Sequence, residues 1–248
     1  MEAGKSPDGP VVLKADGLVR EFGTFRAVDG ISFELASGTV MAVFGPNGAG
    51  KTSLLRILAG ELQPTEGSVE VHGTALDGGD QAWRARVGVL SHQSFLYDHL
   101  TAQENLLFYG RLFELPNLRA TVAERLERVG LLGRAGSRVR TFSRGMRQRL
   151  ALARTLLHDP DVVFLDEPYT GLDAHAAGLL NEVLASLRDG RRTVVLVTHN
   201  LSKGLHLADR VAIQVRGRFA YDAGIAELPN EAFEGFYRQV VDSVEAGR

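Results

Sequence analysis

The stretch TVMAVFGPNGAGKTSLLRILAG, residues 39–60, constrains the fold more than any other. Val40 to Phe44 is an unbroken apolar run of strand length, the pattern of a strand buried on both faces. It runs directly into GPNGAGKT, Gly45 to Thr52, which fits the spacing G-x-x-x-x-G-K-[ST] in full. Leu54, Leu55 and Leu58 then recur at helical spacing, so a helix begins near Gly50. A glycine-rich turn between a buried strand and a helix start can direct its N–H groups inward, with the positive end of the helix behind them. Such a turn is an anion cradle. Lys51 supplies an ammonium for the β- and γ-phosphates of a nucleotide, and the Thr52 hydroxyl suits Mg²⁺. Gly45, Pro46, Asn47, Gly48, Ala49, Gly50, Lys51, Thr52 and Ser53 are therefore the candidate phosphate site.

The remainder alternates between buried strands and helices. Val11 to Leu18 and Ile31 to Leu35 read as early strands with a turn near Gly23. GSVEVHG, RVGVLS, DVVFLDEP and RRTVVLVTHN read as further strands, and DRVAIQVRGRFAYDAG as a hairpin around Arg216-Gly217. Helices are expected from about Ala174 to Arg188 and from Glu231 to Val244. Between Leu100 and about Asp159 the texture is helical throughout: TAQENLLFYGRLFEL, ATVAERLERVGLL and SRGMRQRLALARTLLHD, the last with Ser143 as N-cap. The predicted fold class is α/β: a P-loop NTPase core with a mostly parallel sheet, an N-terminal antiparallel β portion and an inserted α-helical subdomain. One domain, 1–248, is expected, with 1–93 and 160–248 as core and 94–159 as insertion.

A second acidic feature complements the cradle. VVFLDE puts Asp166 and Glu167 at the end of an apolar strand, where two adjacent acids are costly unless solvated or given counter-charge. Ligands bind at this end of a parallel sheet. Asp166 suits Mg²⁺, through water. Glu167, sent to the other side by strand alternation, suits activation of a water for in-line attack on the γ-phosphate.

Composition narrows the partners. The net charge of −2 over 248 residues makes no case for nucleic acid. The chain has no cysteine, which excludes disulfides and thiolate metal sites and fits a reducing compartment. MEAGKSPDGP lacks the apolar core of a signal peptide, and no apolar run approaches the roughly 18 residues of a membrane span. Any contact with a membrane would run through a partner that spans it.

Taken together, GPNGAGKT, SHQ with Gln93, FSRGM, FLDEP, GLD ending at Asp173 and VTHN with His199 stand in one order along the chain. In that order the sequence resembles the ATP-binding subunits of ABC transporters over nearly its whole length. The resemblance implies an ATPase using ATP and Mg²⁺. It implies a head-to-tail dimer, homodimeric or with a second ATPase, that sandwiches two ATP and sits on integral membrane subunits at the inner face of the cell membrane. Each ATP would lie on the phosphate loop of one chain and on Ser143 and Gly145 of the other. Gln93 resembles the glutamine that meets Mg²⁺ or the attacking water, His199 the histidine that contacts the γ-phosphate, and Asp173 a residue at the dimer interface. Phe22 lies where the family carries an aromatic that stacks on adenine; Phe25 is near enough to leave the choice of ring open. Arg144 and Met146 depart from the family signature, which usually has Gly and Gln there. Phe95, Leu96, Tyr97 and Leu100 lie where a short helix of a membrane subunit would dock.

The wording TFSRGMRQRLALAR and DEPYTGLD resembles the haem-export and cytochrome c maturation branch of the family. Lipid, drug or peptide exporters share the same engine, and a soluble relative driving an assembly machine, such as an iron–sulfur scaffold, is the rival reading. A GTPase switch is disfavoured because no Asn/Thr-Lys-x-Asp guanine-reading motif is present.

Overall fold

The computed structural model describes residues 9–76, 82–91, 93–170, 172, 174–188, 190–229 and 233–246. In chain order its elements are β1 (Val11–Phe22), β2 (Phe25–Ala36), β3 (Val40–Phe44), α1 (Lys51–Leu58), β4 (Glu66–Val71), β5 (Thr74–Ala75) and β6 (Val87–Leu90). Then come α2 (Ala102–Leu112), α3 (Leu118–Arg128), α4 (Arg144–Thr155), β7 (Val162–Asp166), α5 (Ala174–Ala185), β8 (Thr193–Val197), α6 (Leu201–Leu207), β9 (Arg210–Val215), β10 (Arg218–Gly224) and α7 (Phe233–Ala246).

The strands make two sheets. An antiparallel one has the order β2-β1-β4-β5, and the other runs β10-β9-β3-β8-β7-β6. In the second sheet β9, β3, β8, β7 and β6 are mutually parallel, and only β10 is antiparallel, at one edge. Strict alternation along the parallel strands divides the core. Met41, Val43, Phe164, Val195 and Val197 face α1 and the antiparallel sheet, meeting Leu54, Leu55, Leu58, Leu13, Leu18 and Ile31. Val40, Val163, Leu165, Val194 and Leu196 face the other way, onto Ala151 and Leu152 of α4 and Leu180 and Leu184 of α5. Strands buried on both faces need continuous apolar sequence, as β3, β7 and β8 have. Helix α1 is thus held between the two sheets, and its N-terminus is fixed from both sides.

Helices α2, α3 and α4 share a separate core of Leu106, Val122, Leu126, Val139, Phe142, Leu150 and Leu157. Thr101 starts α2 with a reciprocal cap: its hydroxyl accepts from Glu104 N at 3.1 Å, and its own N–H donates to the Glu104 carboxylate at 2.7 Å. Buried Asn105 ties the preceding loop to α2, accepting from Tyr97 N at 2.8 Å and donating to Tyr97 O at 3.1 Å and Thr101 O at 2.9 Å. Arg154 joins α4 to the parallel sheet, donating to Val89 O at 2.8 Å while its guanidinium lies 5.5 Å from the Phe95 ring centre and 5.3 Å from that of Tyr109.

Several expectations shift in detail. β1 and β2 run longer than read, with bulges in the β1–β2 pairing that let them bend around α1. α5 ends at Ala185, before the expected Arg188, and the turn after it contains Leu187, buried in the core beneath. The terminal helix begins at Phe233; Glu231 lies outside the described residues. α6 was not expected: it is capped by Asn200, whose side chain accepts from Lys203 N at 3.0 Å, and is too short to carry a helical period. The hairpin turn stands where expected, with Arg216 and Gly217 both at positive φ, 50° and 80°. Of the four apolar residues after Gln93, Phe95 and Tyr97 are exposed, whereas Leu96 packs against the core and Leu100 is half-buried.

Candidate functional site

Because β3, β6, β7 and β8 are parallel, their C-terminal ends collect at one edge of the sheet. That edge receives the phosphate loop after Phe44, the Asp166-Glu167 pair after Leu165, and Thr198 and His199 after Val197. A cleft of about 370 Å³ opens there, lined by Phe22, Phe25 and Ala27, by Asn47 to Ser53, and by Asp166, Glu167 and Val197. A larger cavity, about 480 Å³, lies between α3, α4 and α5 and carries none of these groups.

The loop is shaped by close packing. Gly50 caps α1 at φ 98°, and a Cβ there would stand 1.8 Å from the Ala27 carbonyl oxygen, so only glycine fits. The cap supplies no side-chain acceptor, and the first turn of α1 has no acidic residue. The N-terminal N–H groups and the dipole of α1 are left for an anion. Lys51 Nζ is buried and donates to Gly45 O at 2.8 Å and Pro46 O at 2.9 Å. Burial pulls this ammonium below the ordinary lysine pKa, while Glu167 and Asp166 pull the other way.

Asp166 is 5% exposed, and its Oδ2 accepts from Thr52 Oγ1 at 3.1 Å. Two oxygen ligands so placed, with the phosphates of a nucleotide, fit the coordination that Mg²⁺ prefers. Glu167 departs from the expected strand geometry. It lies past the end of β7 at φ 48°, a left-handed conformation rare for glutamate, and its N–H donates to Val197 O at 2.8 Å. Glu167 therefore lies beyond the strand, where strand alternation does not set the direction of its side chain. The Glu167 carboxylate is then held by His199 Nδ1 at 2.8 Å and by the Thr198 hydroxyl at 3.3 Å. Thr198 was missed as a site residue. It is fully buried and also accepts from Asn200 N at 3.1 Å, so it fixes both Glu167 and the start of α6. Its one sequence signal is its place just before His199.

Both candidate rings line the cleft, Phe22 47% exposed and Phe25 58% exposed. Phe22 carries the Arg20 guanidinium 4.7 Å from its ring centre. Gln93 is exposed, its carbonyl accepting from the Ser91 hydroxyl at 3.0 Å, and it does not line the cleft. Ser143 caps α4, accepting from Met146 N at 3.2 Å, and Gly145 lies in its first turn against Ala176. Neither lines the cleft of its own chain. Asp173 lies outside the described residues.

Comparison with known proteins gives these features a context. A family model described as "ABC transporter" matches residues 28–170. The daunorubicin resistance ATP-binding protein DrrA3 of Streptomyces coeruleorubidus is 39% identical over 221 residues, covering 88% of this chain and 70% of that protein. A Nod factor export ATP-binding protein I of Ralstonia nicotianae is 39% identical over 223 residues, covering 86% of this chain and 69% of its own length. Among solved structures, an ATP-binding subunit of an ABC transporter superposes with a TM-score of 0.85 at 23% identity, over 92% of this chain and 99% of that one. A dimeric post-hydrolysis ATP-binding cassette with ADP and Pi superposes at 0.78 and 24% identity, over 86% and 98%.

Proposed function

This chain belongs to the ABC transporter family, and we propose that it is the ATP-hydrolysing subunit of an exporter, two cassettes closing head-to-tail around two ATP beneath integral membrane subunits. The observation that carries the reading is that two helix starts without acidic residues in their first turns lie in different places on the chain, only one of them in the cleft. The loop, Lys51, Thr52, Asp166 and Glu167 share one cleft; Ser143 and Gly145 open a second helix, without acidic residues in its first turn, away from that cleft. A helix start of this kind binds an anion supplied from outside, and the ATP of a second copy meets that need. Arg144 and Met146 leave this backbone-and-hydroxyl grip intact.

In this reading Lys51 exchanges the Gly45 and Pro46 carbonyls for phosphate oxygens. Thr52 and Asp166 would hold Mg²⁺, which would supply neutralisation of the phosphate charge. Glu167, oriented by Thr198 and His199, takes a proton from the water whose oxygen attacks the γ-phosphorus as the bond to the β–γ bridging oxygen breaks. His199 also reaches the γ-phosphate, and Gln93 and Asp173 join when the pair closes. The insertion, 94–159, carries the motion to membrane subunits through the exposed Phe95 and Tyr97.

Export is supported by the names of the two relatives, one for daunorubicin resistance and one for Nod factor export. Haem, the cargo expected from the wording of the signature stretches, draws no support from those names. No helix among the described residues is long and apolar enough to cross a membrane, so attachment at the inner face runs through the membrane subunits. Purification in mild detergent tests this: an integral multi-span protein is expected to come with the chain, and a soluble scaffold in its place would favour an assembly machine.

Ser143→Ala is expected to leave ATP binding by the isolated chain within about twofold while cutting dimer-dependent turnover at least tenfold, because the lost contact belongs to the transition state of the closed pair. Equilibrium binding beside steady-state turnover reads this, and collapse of binding would place Ser143 in its own chain's cleft instead. Phe22, its ring steadied by Arg20, is assigned to adenine. Phe22→Ala should weaken ATP binding about 2- to 12-fold, the worth of one aromatic stack, and leave competition by inorganic triphosphate unchanged. Equal losses for both ligands would reduce the ring to packing.

A further inference from the structure

Gln214 is the one amide in the apolar run of β9, and it is fully buried. It lies two residues after Ala212, on the strand face that joins the core around α1, where an apolar side chain is expected. Neither Nε2 nor Oε1 has a hydrogen-bond partner. Buried amides are seldom left so, since desolvation is uncompensated. The location is specific. A Cβ at Gly50 would stand 2.9 Å from Gln214 Nε2, and one at Gly45 would stand 2.1 Å from the Gln214 backbone carbonyl oxygen. The turn that follows is also tied to the loop, Gly217 N donating to Ala49 O at 2.9 Å. The side-chain amide thus lies beneath Gly50 at the helix end of the phosphate loop, and the Gln214 main chain lies against Gly45 at its start.

We infer that Gln214 is a positioning residue for the nucleotide-loaded phosphate loop, its amide donating to the loop's underside once phosphate draws the Lys51 ammonium off the Gly45 and Pro46 carbonyls. Those two carbonyls are served by Lys51 in the present arrangement. When the ammonium turns to phosphate the loop backbone loses that donor, and Gln214 Nε2, buried and without a partner beneath Gly50, is a donor within the same loop's packing. The penalty of the lone amide falls on the nucleotide-free state and is relieved on binding, so occupancy and loop geometry are coupled. Gln214 touches no nucleotide atom. The inference rests on the nucleotide reading of the cleft.

Gln214→Met, of similar length and apolar, tests it in the full chain by thermal unfolding with and without saturating ATP–Mg²⁺. The nucleotide-free melting temperature is expected to rise by about 2–4 °C, and the ATP-induced rise to shrink by a similar amount. The ATP dissociation constant should increase about five- to tenfold, with kcat at saturating ATP within about twofold. A lower nucleotide-free melting temperature in the variant, or an undiminished ATP-induced rise, overturns the inference. Gln214→Leu, smaller beneath Gly50, reads the same difference if methionine crowds the loop. A wild-type chain that gains nothing from ATP–Mg²⁺ overturns the nucleotide reading itself, whereas equal gains in wild type and variant overturn only the role of Gln214.

Discussion

Glu167→Gln is expected to lower ATP turnover by about 10²–10⁴-fold, the usual worth of a positioned general base, while ATP still binds and holds the dimer closed. The substitution is chosen because glutamine keeps the shape of the site. The left-handed backbone at φ 48° and the N–H bond to Val197 O do not depend on the side chain, and an amide oxygen can still accept from the Thr198 hydroxyl that now meets the carboxylate. What the amide cannot do is take a proton from water. Binding and closure should therefore survive while turnover fails, and gel filtration with ATP and Mg²⁺ should show the variant as a dimer. A variant that stays monomeric under those conditions, or one that turns over at the wild-type rate, would remove Glu167 from its role.

Lys51→Ala is expected to weaken ATP binding by about ten- to 150-fold, corresponding to the roughly 1.5–3 kcal/mol of one hydrogen bond to a charged group. Isothermal titration of the isolated chain reads the change directly, and undiminished affinity would contradict the assignment. The cost of the substitution to the nucleotide-free fold should be smaller than the hydrogen-bond pattern suggests. Alanine gives up the bonds to Gly45 O and Pro46 O, but it also removes a buried ammonium whose pKa burial lowers. The sign follows from linkage. A lysine held below its ordinary value binds fewer protons folded than unfolded at alkaline pH, so its drag on stability is present at neutral pH and fades as pH rises through the lowered value towards the ordinary one. The wild-type chain should gain relative stability over Lys51→Ala across that alkaline window, as paired denaturant titrations would show.

The loop from Gly45 to Thr52 was legible because its chemistry is local. Contiguous residues supply the turn, the helix start, the ammonium and the hydroxyl, and the apolar run before it declares a strand buried on both faces. The same holds for Asp166 at the end of β7 and for the hairpin at Arg216-Gly217, where two adjacent residues must both take positive φ. The α2–α4 insertion was readable from helical spacing and from caps such as Ser143. The roles of Ser143, Gly145, Gln93, His199 and Asp173 came from family resemblance in place of residue chemistry, since each alone is an ordinary cap or surface residue.

Sequence alone therefore determined the class of fold and the kind of ligand, since both follow from patterns within a few turns of chain. Tertiary structure decided how the parts meet. It brings Thr198 and His199 from β8 onto Glu167 from β7, which strand alternation could not foresee, because the join lies in a backbone twist and a contact 31 residues apart. It sets Phe22 and Phe25 at the mouth of the cleft by folding β1 and β2 over α1, turns Ser143 away from that cleft, and slides the Gln214 amide beneath Gly50. Those outcomes depend on packing between segments far apart in the chain, and no local periodicity encodes a distance across a sheet.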